Sequence, residues 1–423
     1  MPGNAPDLVA NKLQNELKNI EFTHAKISEG SPWSSNAFVD HLNLPEGIKT
    51  ALYDLKVNRL SKIQKVVIPK LLQGIDIVAQ SQSGTGKTIT FLTAAFGRVD
   101  PELAQPQVLI VLPTFELAHQ VFLVTEELGK NIPEVTVRRA LRGERVLEES
   151  IQEHIVIGTP GKVLDWMKFK NKLDGSFIKM LVFDEADELF DINQNRDMML
   201  LIKASVSSEA QVIMFSATFS DEFCDFIADF SPHSEILRLQ QEEIALDNIK
   251  QLYVKVFNEY EKISILRRVL RIADTGNCFI FTQTKGEAHK VFEALQEEEY
   301  SVGLISGDLG IHERQQAFED FRTGKLRYLV ATNVSSRGID IPNVCMVINY
   351  SLPYNPIARG IDHETYLHRI GRCGRFGKEG LALSFADRNN SEDQIRELVE
   401  HFSKPINELV LDDELEMETQ LNH

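Results

Sequence analysis

At 423 residues the chain is too long for one ordinary domain and suits two lobes of roughly 200 residues each. Hydrophobic residues at 43% and charged residues at 25% exclude wholesale disorder. The net charge of −17, from 45 basic and 62 acidic side chains, excludes a protein that grips polyanions through a generally basic surface. A nucleic-acid site, if present, must be local and lean on backbone amides and helix N-termini.

In chain order, Val9, Leu13, Leu17 and Ile20 recur at helical spacing and predict an amphipathic helix ahead of a Ser/Pro-rich stretch at Ser31–Ser35. Strand-like apolar runs then alternate with longer helical patterns. In the first half they fall at Ile75–Gln80, Gln107–Leu112, Val135–Leu141, His154–Gly158, Met180–Phe183 and Gln211–Phe215. In the second half they fall at Gln251–Val256, Cys278–Thr282, Ser301–Ile305, Tyr328–Ala331, Cys345–Ile348 and Leu381–Phe385. These runs are rich in Val, Ile and Leu without polar alternation, as expected of parallel strands covered on both faces. The polar stretch Leu239–Asn248 reads as a linker, and no period of 20–50 residues repeats. The predicted organisation is an extension (residues 1–35), a first α/β domain (36–240), a linker (241–248), a second α/β domain (249–410) and an acidic tail (411–423).

Charge follows this division. Residues 1–248 carry 24 basic and 35 acidic groups, whereas residues 249–407 are neutral, because six acids of the second half lie between Glu408 and Glu418. Cys224, Cys278, Cys345 and Cys373 form no CxxC pair, which excludes a zinc ribbon and argues for buried thiols in a reducing compartment. No apolar run reaches the length of a membrane span, and the first 30 residues do not resemble a secretory signal. An intracellular chain with no membrane insertion is expected.

Three motifs carry chemistry. Ala79-Gln-Ser-Gln-Ser-Gly-Thr-Gly-Lys-Thr88 follows a strand and opens a helix, the setting of a phosphate-binding loop. Its Ser81, Gln82, Ser83, Gly84, Thr85 and Gly86 supply backbone amides for phosphates, Lys87 reaches the β- and γ-phosphates, and Thr88 holds Mg²⁺. Ser81 stands where the general pattern has its first glycine. Leu181-Val-Phe-Asp-Glu-Ala-Asp187 is a buried strand ending in acids, with Asp184 placed for Mg²⁺ and Glu185 for the attacking water. In His368-Arg-Ile-Gly-Arg-Cys-Gly-Arg375, a continued helix would align Arg369, Arg372 and Arg375 as a guanidinium row. A bare row of arginines is otherwise a solvated face. Here the first half lacks an obvious arginine for the γ-phosphate and the second lacks a phosphate loop.

With these motifs the sequence resembles the DEAD-box RNA helicases over about residues 38–400. It also carries PTFELAHQ (113–120), Arg142-Gly143, GTPGK (158–162), SAT (216–218), ATNVSSRGID (331–340) and Gln64 within SKIQ. The resemblance implies two tandem RecA-like domains, ATP with Mg²⁺, and single-stranded RNA. It implies that Gln64 reads adenine, and that Asp187 couples the lobes through Ser216 and Thr218, with Arg369 in the same coupling set. Gly338 and Asp340 would contact the nucleotide, and Arg372 and Arg375 its γ-phosphate. RNA would be held by Thr114, Gly143, Thr159 and Gly161 in the first domain, and by Gln283 and Thr332 in the second.

The chain departs from that family at several positions. Val57 stands for an adenine-stacking aromatic, Lys56 for a common glycine, Leu60 for proline and Phe115 for the arginine of PTRELA. Lys162, Lys285 and Cys373 replace Arg, Arg and Thr. The lysines keep charge without the planar fork.

The stretch 352–366, with VIGTPGKVLDW, ALRGERV, IALDNIKQLYV and the ending HFSKPINELVLDDELE, resembles the branch that serves mRNA export at the cytoplasmic face of the nuclear pore. That resemblance implies an N-terminal regulatory helix, a nucleoporin partner, and an activator protein bridged by inositol hexakisphosphate. It also implies a monomer acting on mRNA–protein complexes in cytoplasm and nucleus. A translation-initiation helicase, an ATP-locked RNA clamp and a small-molecule kinase are the alternatives.

Overall fold

A parallel strand covered on both faces loses polar alternation, so short runs of Val, Ile and Leu mark its course. The computed structural model describes residues 34–80, 85–146, 150–190, 196–219, 221–237, 248–273, 276–332, 344–355, 359–374, 379–387 and 391–422. They form two compact units divided between residues 239 and 240. The expected helix over residues 9–20, and all of the expected linker except Asn248, lie outside the described residues.

The first unit opens with an antiparallel pair, β1 (Ser34–Phe38) and β2 (Arg59–Ser61). Its main sheet contains β3 (Ile77–Gln80), β4 (Val108–Val111), β5 (Val137–Ala140), β6 (Ile155–Gly158), β7 (Met180–Asp184), β8 (Gln211–Ser216) and β9 (Glu235–Leu237). All seven are parallel, in the spatial order β5-β6-β4-β7-β8-β3-β9.

The second unit contains β10 (Ile249–Val256), β11 (Asn277–Thr282), β12 (Val302–Ile305), β13 (Tyr328–Thr332) and β14 (Val344–Asn349). The small antiparallel pair β15 (Tyr354–Asn355) and β16 (Gly360–Ile361) follows, then β17 (Gly380–Asp387) and β18 (Asn407–Glu408). The parallel order is β12-β13-β11-β14-β17-β10-β18. Ranked by appearance in the chain, both seven-stranded sheets read 3-4-2-5-6-1-7. One topology occurs twice.

Each sheet is sandwiched between two cores. Val108, Ile110, Met180 and Val182 face one core of the first unit, and Leu109, Val111, Leu181 and Phe183 face the other. Cys278 and Ile280, against Phe279 and Phe281, split the same way in the second. Burying each such aliphatic or aromatic side chain contributes roughly 1.5–3 kcal/mol. The central strands are thereby fixed.

Two expectations need correction. Residues 411–423, expected as an acidic tail, carry a helix over Glu414–Asn422. Met417 and Leu421, four residues apart, are buried against the second core, and the Asp413 carboxylate caps the amides of Leu415 and Glu416. The acids occupy its outer face. The four cysteines are free, but only Cys278 and Cys373 are buried; Cys224 and Cys345 are half-buried.

Candidate nucleotide and RNA sites

All strands of a parallel sheet end on the same side, so the loops after them gather there. In the first unit the strand order sorts these loops into two groups. The neighbours β7, β8 and β3 lead into the acidic motif, SAT and the phosphate loop. The neighbours β5, β6 and β4 lead to Gly143, Thr159 and Thr114.

Ser81, Gln82, Ser83 and Gly84 lie outside the described residues. Buried Thr85 and then Gly86 follow, and Gly86 (φ 95°) caps the helix Lys87–Arg98. Lys87 Nζ lies 3.1 Å from Glu185 Oε1 and 3.8 Å from Asp184 Oδ1, with all three side chains buried. Glu185 has left-handed backbone (φ 52°), and its amide donates to Asp184 Oδ1 at 3.0 Å. Strain of this kind costs on the order of 1–3 kcal/mol and is concentrated at functional sites. Burial works to lower the Lys87 pKa, but the charges of Glu185, Asp184 and Asp187 outweigh it and raise the value. Burial pushes the Asp184 carboxyl up to about 6, against the opposing pull of Lys87.

Three carboxylates thus surround one ammonium. The Thr88 hydroxyl, half-buried at the start of the same helix, makes no hydrogen bond among the described residues. An excess of buried anionic oxygen beside an unengaged hydroxyl fits a hard divalent cation.

Asp187 Oδ2 accepts from both the amide (3.0 Å) and the hydroxyl (2.8 Å) of Thr218. Ser216 Oγ donates to Thr218 O at 2.6 Å. These bonds tie the ends of β7 and β8 together inside the first unit.

Gln64 is buried, and its surroundings include a residue not singled out from the sequence. Ser61 caps the helix Lys62–Leu72, its Oγ accepting from Gln64 N, while Gln64 Oε1 accepts from Ser61 N at 2.8 Å. The Ser-x-x-Gln spacing of a capping box was the available signal. Gln64 Nε2 points to Gly86 O at 3.4 Å, so the amide touches the phosphate loop.

On the neighbouring group of loops, Thr114 caps the helix Phe115–Gly129 through Leu117 N. Thr159 precedes Pro160 at the start of the helix Pro160–Leu164, and its side chain makes no capping bond there. A Cβ placed on Gly143 or Gly161 would meet nothing within 4 Å. The space above both glycines is open to a ligand's backbone. Sequence reasoning also missed Arg139 on β5. It pairs with Glu144 at 2.8 Å, lies 3.3 Å from His119 Nδ1, and covers the ring of Phe122. Phe115 stacks on His119 and packs on the core.

In the second unit Gln283 follows β11, and its Nε2 donates to Tyr354 O at 3.4 Å; buried Thr332 ends β13. These strands have ranks 2 and 4, the same ranks as β4 and β6, which lead to Thr114 and Thr159. The rank-3 strand β12 leads to Ser306, Gly307 and Asp308, the counterparts of the Gly143 loop. Ser306 Oγ and His289 Nε2 both bond the Asp308 carboxylate, the latter at 2.8 Å. The 2-3-4 ranking repeats in both units and locates this third loop, which no residue motif announced.

Among the described residues, Arg369 and Arg372 do not lie along one continued helix. The helix His363–Ile370 ends at Gly371, so Arg372 lies beyond it, while Arg375, Gly338 and Asp340 lie outside the described residues. Arg369, expected in the coupling set, is tied into the second unit by its described bonds. Its guanidinium donates to Asn349 Oδ1 (3.1 Å), Ser351 O (2.7 Å) and Thr282 O (3.3 Å), over the Phe281 ring. A buried guanidinium needs these acceptors nearby. Arg372 Nε donates to His368 O at 2.8 Å.

Comparison with known proteins agrees with these two units. Residues 61–226 match the DEAD/DEAH box helicase family, and residues 261–377 match the helicase conserved C-terminal domain. The chain belongs to the DEAD-box ATP-dependent RNA helicases. Among its relatives, the ATP-dependent RNA helicase DDX19A of Bos taurus is 40% identical over 418 residues, covering 98% of this chain and 87% of the relative. DDX25 of Bos taurus is 38% identical, covering 97% and 87%. Among solved structures, S. cerevisiae Dbp5 bound to RNA and ADP BeF3 aligns with a TM-score of 0.85 at 35% identity. That alignment covers 92% of this chain and all of that one. The expected pair of RecA-like folds is therefore present.

Proposed function

We propose that this helicase remodels RNA duplexes and mRNA–protein complexes during mRNA export, with Lys87, Asp184 and Glu185 as its hydrolytic centre. The observation that supports the site most strongly is the buried cluster of Lys87 between Glu185 and Asp184. Lys87 would neutralise the β- and γ-phosphates, which would take the place beside its ammonium that the carboxylates now fill. Released from Lys87, Glu185 would accept a proton from the attacking water. Mg²⁺, held by Thr88 and Asp184, would supply Lewis-acid stabilisation of the phosphoryl oxygens. Gln64 would select adenine while bracing Gly86, and Arg372 and Arg375 are the proposed γ-phosphate contacts.

Thr114, Gly143, Thr159, Gly161, Gln283 and Thr332 would hold the RNA backbone. Contacts of this type position a strand without reading bases, so no sequence preference is expected. Replacing Glu185 with Gln should abolish RNA-stimulated hydrolysis while leaving ATP and RNA binding intact; hydrolysis at the parental rate overturns this assignment.

The export role rests on similarity to Dbp5, which has also been solved with Nup159, Gle1, IP6 and ADP; that structure aligns at a TM-score of 0.65 and 34% identity, covering 89% of this chain and 98% of that one. A nucleoporin of the Nup159 kind, and an activator of the Gle1 kind bound to inositol hexakisphosphate, are accordingly the proposed partners. The proposed location is the cytoplasmic face of the nuclear pore. Pull-down of the full chain with the matching nucleoporin tests this, and failure to bind returns the reading to a translation-type helicase.

A further inference from the structure

The second unit carries a basic groove away from its strand ends. It has a volume of about 730 Å³ and runs along the outer face of the helix Glu259–Ile272, beside the helix Lys285–Gln296. Tyr260 stands 91% exposed at one end of that face, and Tyr300 forms part of the wall. Between them lie Arg267, Arg268, Arg271 and Lys290.

The groove's own acids, Glu298 and Glu259, neutralise only part of this charge. Glu298 is spent on Arg267 at 2.9 Å, and Glu259 on Lys262 at 3.0 Å and the Tyr350 hydroxyl at 3.1 Å. Among the described residues Arg268 reaches only exposed Glu414, at 3.8 Å. Exposed Arg271 and Lys290 make no hydrogen bond or ion pair among the described residues. On a chain of net charge −17, this local surplus of positive charge faces an open channel.

We infer that this groove is an auxiliary binding site for single-stranded RNA, outside the set Thr114, Gly143, Thr159, Gly161, Gln283 and Thr332. It rests on the reading of the chain as an RNA helicase. Arg271 on one helix and Lys290 on the next are cations that can take phosphates, and an exposed ring beside them offers a stacking face to a base. The occupant favoured is RNA rather than an acidic peptide, because carboxylates would use the cations and leave Tyr260 without a partner. Its role is to hold the strand beyond the segment being remodelled, raising the local concentration of long substrates.

The test uses the full chain and the variants Arg271→Gln/Lys290→Gln and Tyr260→Ala, all exposed positions outside the catalytic machinery. Binding is read by fluorescence anisotropy on a labelled single strand of about 8 nucleotides and one of about 25. For the double variant, the expected result is weaker binding of the long strand by several-fold, little change for the short one, and a log affinity–log salt slope shallower by about 1.4. Tyr260→Ala should weaken long-strand binding without changing that slope. Parental affinity and slope in both variants overturn the inference. So does loss of binding to an acidic peptide with RNA binding intact. A parent chain with no RNA-stimulated hydrolysis would fail the proposed function instead, and the anisotropy comparison would still be readable.

Discussion

Asp187 accepts two hydrogen bonds from Thr218, one from its amide at 3.0 Å and one from its hydroxyl at 2.8 Å. The last residue of the acidic motif is thus held by the SAT segment of the adjacent strand, and any movement of one is passed to the other. Thr218→Val keeps the amide bond and the side-chain volume but removes the hydroxyl. It should cost about 1–2 kcal/mol in stability, because a charged acceptor loses a partner. A double-mutant cycle with Asp187→Ala, read by denaturant unfolding, should return a coupling of at least about 0.5 kcal/mol. Simple additivity would mean that the bond transmits nothing.

Gly86 has no room for a side chain. Its φ of 95° belongs to glycine, and a Cβ would approach Gln64 Nε2 to 2.6 Å. Gly86→Ala must push Gln64 out of its capping box with Ser61 or distort the start of the Lys87 helix. ATP affinity should fall at least about tenfold, a loss of about 1.4 kcal/mol, with the second unit's fold unaffected. Titration with a fluorescent ATP analogue checks it; affinity within twofold of the parent contradicts the packing argument.

Lys56 and Val57, both departures from the family pattern, are explained by one local structure. The helix Glu46–Asp54 ends with Lys56 N bonded to Tyr53 O (2.8 Å) and Val57 N bonded to Leu52 O (2.9 Å). This is a Schellman turn, whose left-handed position favours glycine and whose next residue packs back on the helix. Lys56 occupies the left-handed position at φ 60°, and half-buried Val57 packs against the core. Lys56→Gly relieves about 1–2 kcal/mol of backbone strain and gives back about half as added unfolded-state entropy. A net gain of up to about 1 kcal/mol is expected in denaturant unfolding, and a loss of that size would refute the account.

The phosphate loop and acidic motif were legible because their chemistry is local: a few consecutive residues, each with a fixed task. The twelve expected strands all appear, most of them because strands buried on both faces announce themselves by composition, although half-buried β5 at the sheet edge does not. What escaped depends on contacts between distant residues or on where an element stops. The arginine row assumed a helix continuing through Gly371, which ends it. The acceptors that bury Arg369, namely Thr282, Asn349 and Ser351, lie 18 to 87 positions away, beyond the reach of any local pattern. A helix with only two buried apolar residues among its acids, Glu414–Asn422, stayed hidden, and the pairing of Arg139 with His119 spans 20 positions.

That last pairing makes stability depend on pH. Burial, reinforced by the charge of Arg139, pushes the His119 pKa from 6.5 down to about 4. Between those values the unfolded chain binds a proton that the folded chain refuses, so stability falls as pH drops from about 6.5 toward 4. Because the ring is half-buried, the loss at pH 5 is expected at about 1–2 kcal/mol. His119→Gln removes the titration while keeping a polar side chain. Thermal unfolding of the parent should lose more on going from about pH 7 to pH 5 than the variant does, by roughly 2–8 °C. Equal losses in the two proteins would show that the ring accepts its proton in the folded state, and that neither burial nor Arg139 restrains it.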